Sequence, residues 1–100
     1  MRYDAFRKRL VEAVLHAHGE TPEALRRAVL DHGSTPPALA SYVDTVKRHA
    51  YKVTDADIVS LQQAGQSDDT LFEITVAAAV GAALHRLDRG MAALRGEEPD

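Results

Sequence analysis

Five side chains in this sequence have the types that acid–base chemistry on a small carboxylated molecule needs: His49, Tyr51, Glu73, His85 and Arg86. A histidine titrating near neutrality can shuttle a proton, an arginine can hold a carboxylate through two parallel hydrogen bonds, and a tyrosine can donate to a developing enolate. Spacing limits the set. Glu73 and Arg86 are thirteen residues apart on one expected helix, nearly four turns or about 20 Å of rise, so the two cannot converge on one small molecule from that helix alone. An ion pair for each, and a helix-dipole role for His49 near the end of a helix, are the simpler assignments. Two readings follow: a non-catalytic structural or ligand-binding protein, and a cofactor-free lyase or isomerase using His49, Tyr51, Glu73 and Arg86.

Other chemistries are excluded by what the chain lacks. There is no cysteine, so thiol peroxidase chemistry, disulfides and thiolate metal sites are ruled out. His16 and His18 are two apart, about 200° around a helix, and do not form the pair separated by four that binds zinc. Glycine-rich phosphate loops and a nucleophile-elbow motif are absent. No metal and no cofactor are expected. The formal net charge of −3 gives no general attraction to phosphate backbones. Arg7, Lys8 and Arg9 sit in an amphipathic segment and, like Arg26 and Arg27, read as a solvated face. Nucleic acid is therefore not an expected partner. With no secretory leader pattern and no run approaching about 20 apolar residues, the expectation is a cytoplasmic protein without a membrane span.

Helical periodicity and capping residues position these groups. Tyr3, Phe6, Leu10, Val11, Val14, Leu15 and His18 recur at steps of three and four, predicting a helix over residues 3–18 that stops at Gly19. Thr21 offers an N-cap oxygen and Pro22 a first-turn proline for a second helix ending near His32, with Gly33 as the left-handed residue after it. Pro36-Pro37 breaks the chain and starts a third helix, with Leu39, Tyr42, Val43 and Val46 as its apolar stripe, to about Ala50. Thr54 and Asp57 form a capping box, predicting a fourth helix over 55–64 closed by Gly65. Ser67, Asp68 and Asp69 start the longest helix, 68–94, whose middle from Val76 to Leu84 is apolar nearly all round. No strand pattern is present. The expected fold is all-α with about five helices in one domain: an N-terminal helical pair (1–33), a core (34–96) and a frayed tail (97–100). The Ala/Gly-rich final helix is the expected homo-oligomer contact, with Gly81 and Ala78 as its close-approach residues.

Gly65, Ser67, Asp68, Asp69 and Glu73 carry a resemblance. In that order they are similar to the Gly, cap, acids and downstream glutamate of the alkylhydroperoxidase-D-like and carboxymuconolactone decarboxylase superfamily. Counting back from Gly65 places Ala50 and Val53 at the family's two cysteines and Asp57 at its histidine; the relay glutamate would fall near Ala38. All the redox groups are replaced. The resemblance thus implies a family scaffold with its thiol centre erased, a trimer or hexamer packed through the last helix, and, in the decarboxylase branch, a small carboxylated ligand.

Overall fold

The computed structural model describes residues 2–16 and 19–96 and is all-helical over them, with no strand. Its elements are α1 (Arg2–His16), α2 (Glu23–Leu30), α3 (Pro37–His49), a single 3-10 turn (Ala50–Lys52), α4 (Asp55–Gln63) and α5 (Asp68–Leu94). His18 and the expected frayed tail, 97–100, lie outside the described residues.

Local chemistry accounts for most boundaries. Pro36 and Pro37 open α3, where a missing N–H costs nothing because the first helical N–H groups have no partner within the helix. The Thr54 hydroxyl accepts from the Asp57 N–H while the Asp57 carboxylate accepts from the Thr54 N–H at 2.9 Å, completing the capping box of α4. Ser67 accepts from the Thr70 N–H at 3.1 Å and starts α5. The start and end of α2 depart from expectation. Thr21 does not cap it: the hydroxyl donates to Glu73 at 2.5 Å, and α2 begins after Pro22 without a side-chain cap. The left-handed residue at its end is His32 (φ 62°), not Gly33, because the Gly33 N–H closes back on the Ala28 carbonyl at 2.7 Å and this bond sets the left-handed position one residue earlier.

α5 is the central helix. Ile74, Ala77 and Ala78 on it pack with Val29 of α2 and Leu39, Tyr42, Val43 and Val46 of α3. Leu84, one face-turn on, packs with Leu15 of α1 and Leu30 of α2. Each large aliphatic side chain buried this way contributes about 1.5–3 kcal/mol. α2 crosses closest at Gly81, where a Cβ would land about 3.1 Å from Leu30 Cα and closer still to its carbonyl oxygen. Small residues are thus spent inside the chain: Ala77, Ala78, Gly81 and Ala82 are buried against neighbouring helices, which overturns the expectation that Ala78 and Gly81 serve contacts between copies. A different arc of α5, opposite α2, is exposed from end to end: Phe72, Val76, Ala79, Ala83, Leu87, Gly90 and Leu94. At 27 residues and with this apolarity, α5 is long enough to cross a membrane by length and composition, contrary to the sequence expectation. Its packing on α2 and α3 makes it the core helix of this fold.

Candidate functional site

The groups with the most unusual surroundings meet where the last turns of α2 and α3 face the middle of α5. His32, Lys47, Arg48, His49, His85 and Arg86, with Asp44 and Ala82, line an open groove of about 460 Å³, within the usual range for a small-ligand site. Lys47 is the odd residue. It follows Val43 by one helical turn and so lies on the inward stripe of α3, and its side chain is buried at 9% exposure. Its Nζ is 3.0 Å from His32 Nδ1. For the ammonium to donate there, Nδ1 must carry the lone pair, which puts the ring proton on Nε2. Burial pushes the Lys47 amine below its ordinary value, with Asp31 opposing. His32 is also lowered, first by desolvation and then by the neighbouring Lys47 and His85 charges. The His32 and His85 rings meet edge to face at 5.5 Å between centroids.

Helix ends supply the rest of the wall. Arg86 donates from Nη2 to the Lys47 carbonyl at 3.3 Å, satisfying one of the carbonyls that the last turn of α3 leaves without an intrahelical partner. Arg48 pairs with Asp44, Nε to Oδ1 2.8 Å, on the exposed rim. His49 ends α3, with its ring edge-on to Tyr51 at 5.8 Å. Lys47, Arg48 and Arg86 line the groove with a single acid, Asp44, and that acid is already paired with Arg48. In a chain of net charge −3, this is a local excess of positive charge at a partly dry site, an arrangement that favours an anion.

The structure brings together His49, His85 and Arg86 from the sequence-derived set. Tyr51 does not join them; it is 80% exposed, with Lys52 Nζ 5.9 Å from its ring centroid. Glu73 lies elsewhere. Its carboxylate accepts from the Glu20 N–H (2.8 Å), the Thr21 N–H (2.9 Å) and the Thr21 hydroxyl, which fastens the loop before α2 to α5 and holds the carboxyl below its ordinary value. Ala50 stands in the 3-10 turn and Val53 directly before the cap of α4, so both flank the start of the fourth helix. Asp57 is held in the capping box and borders a separate, smaller groove with Ser41, Tyr42, Thr45 and Ser60. Neither Ala50 nor Val53 lines that groove.

Sequence reasoning missed Lys47 and His32. The signal for Lys47 was present, since it falls in register with Leu39, Val43 and Val46. His32 had no such signal: its place beside Lys47 comes from the left-handed turn that ends α2. No cluster of three or more histidine or acidic side chains placed to hold a metal is found among the described residues. Comparison of the chain with protein-family models, with curated proteins and with solved structures finds no match.

Proposed function

We propose that this chain is a small ligand-binding protein on an alkylhydroperoxidase-D-like scaffold without thiol chemistry, and that its ligand is a small carboxylated molecule held in the groove between α3 and α5. The observation that carries the reading is the convergence of Lys47, Arg86, His32 and His85 on one groove whose only lining acid is tied to Arg48. A carboxylate there gains charge-assisted hydrogen bonds from Arg86, which spends one donor on the Lys47 carbonyl and is built to hold a carboxylate with two. The family part of the reading is supported by Ala50 and Val53 standing at the entry to α4 and by the long apolar helix that follows the Ser67 cap. The lyase alternative draws on the same groove, through His49, His85 and Arg86.

Assembly is the second half of the reading. The exposed arc of α5 is self-complementary about Ala83: an antiparallel copy would set Phe72 against Leu94, Val76 against Gly90, Ala79 against Leu87 and Ala83 against itself. Large faces small at the two middle contacts, and no charged residue interrupts the arc. Of the trimer or hexamer that the resemblance implies, a hexamer built of two trimers facing each other would contain such twofold pairs. Phe6 of α1, itself exposed, adds to the apolar area available.

The binding claim is tested by NMR titration of the chain with succinate, with inorganic phosphate as a second arm. Shifts concentrated at His32, Lys47, His85 and Arg86, and weakened about tenfold in Arg86→Ala, are the expected result, a loss of about 1.4 kcal/mol. Shifts spread evenly over exposed lysines and arginines would remove the reading.

A further inference from the structure

Lys47 has a use that simple anion binding does not require. A lysine meant only to attract a carboxylate works best exposed and fully charged, yet this one is buried to 9% exposure, and its nearest polar neighbour is a histidine nitrogen rather than an acid. Two observations independent of its titration point the same way. His32 Nδ1 lies 3.0 Å from Nζ, within the range for direct proton transfer. And the left-handed turn that ends α2, φ 62° at His32, fixes the backbone from which its ring reaches Lys47 Nζ.

We propose that Lys47 is an imine-forming nucleophile for a small keto acid, with His32 as its proton acceptor and Arg86 as the carboxylate anchor. This rests on the reading of the groove as a carboxylate site and adds a carbonyl to the ligand. The step balances without any other reactant. The Lys47 ammonium gives a proton to His32 Nδ1, and the freed nitrogen pair attacks the carbonyl carbon. A C–N bond forms, and the carbonyl π pair moves to oxygen, which takes the proton back from His32. The nitrogen, which now carries two hydrogens and the positive charge, gives one of them to His32, which passes it to the hydroxyl. The C–O bond then breaks to release water as the freed nitrogen pair closes the C=N bond, and the one hydrogen left on nitrogen makes a protonated imine. The cation so formed stands among Arg86, Arg48, His85 and His32, with Asp44 and Asp31 as the nearby acids; the substrate's own carboxylate supplies the counter-charge. Hydrogens on the carbon next to the imine become acidic, and His85 lines the same groove as a group able to accept one. Burial holds the Lys47 amine below its ordinary value and so raises its free-base fraction near neutrality, as expected of a lysine prepared for this chemistry.

The test uses the whole chain, pyruvate and cyanoborohydride, read by intact mass and peptide mapping. Lys8 and Lys52, both exposed, are internal controls in the same molecule. Expected is one reduced adduct, placed at Lys47 at least tenfold faster than at Lys8 or Lys52, slower with acetone than with pyruvate, and suppressed by succinate. Wild-type exchange of pyruvate methyl hydrogens for solvent deuterium should accompany it and vanish in Lys47→Arg, which keeps the charge. Labelling of all three lysines at similar rates overturns the proposal. So does absence of adduct while succinate still shifts the groove resonances, in which case the carboxylate site stands and the nucleophile does not. An adduct at Lys47 that forms equally with acetone and ignores succinate upholds the amine and discards the carboxylate reading.

Discussion

The Glu73 carboxylate and Thr21, 52 residues apart in the chain, are joined by two hydrogen bonds, from the Thr21 N–H and from its hydroxyl. The approach is close enough that Gly19, just before, has no room for a Cβ beside the carboxylate oxygens. A glutamate that reads as a catalytic candidate in one dimension is, in three, the clasp between the loop before α2 and the first turns of α5.

That clasp has a sign with pH. The folded carboxyl is held below its ordinary value of 4.5, chiefly by the Thr21 bonds. Its contribution is therefore fully present above the unfolded value and is lost as pH falls through the lower folded value. Glu73→Gln should lower stability at neutral pH by about 1–2 kcal/mol, and the gap to the parent should narrow in acid. Urea unfolding followed by circular dichroism at both pH values checks this; a gap that widens in acid refutes it.

Gly81 sets propensity against packing. On helix propensity alone, Gly81→Ala should stabilise α5 by about 1 kcal/mol. The new methyl, however, would meet Leu30 backbone rather than a movable side chain, and overpacking of this kind costs about 1–3 kcal/mol. The second effect wins. The melting temperature of Gly81→Ala should fall, and a rise would show that α2 can back away from α5 at no cost.

His32 separates stability from chemistry. His32→Gly places the residue best suited to φ 62° at that position, and should raise stability by about 1 kcal/mol. The same change removes the group next to Lys47 Nζ and should slow adduct formation at least tenfold. A variant that melts higher and still labels at the parent rate would leave His32 a turn residue only.

Ala83 is the centre of the proposed pairing. Ala83→Glu would put two carboxylates against each other at the twofold axis and should give a monomer by light scattering, with the fold unchanged because Ala83 is exposed. An unchanged mass would place the contact elsewhere.

The boundaries of α3, α4 and α5 were legible because the chemistry that sets them is local, whereas α2, whose expected cap Thr21 turns to Glu73 instead, departed at both ends. Thr54 with Asp57, Ser67 with Thr70, and Pro36 with Pro37 all act within a turn of their own helix. α4 leans on this most, since none of its residues is fully buried; Thr54→Ala should cost about 1 kcal/mol, read as faster amide exchange confined to α4. What stayed illegible is what depends on distance along the chain. The partner of Glu73 lies more than half the chain away. The side of α5 that meets α2 could not be told from the side left bare, because alanine and glycine occupy both arcs. Lys47 lay in register with its apolar neighbours, but a cation at the margin of a stripe is ordinarily solvated, and only the His32 turn and α5 close over it.

The place of α5 in the core also orders events in time. α2 and α3 bury their apolar residues against a helix that is synthesised after both of them. A nascent chain that has emerged only as far as Gln63 therefore displays those residues to water, and ordering waits on the ribosome's delivery of Leu71, Ile74 and Ala78. Translation arrested just before that stretch should leave a protease-sensitive chain, and release of a few more turns should make it resistant in one step.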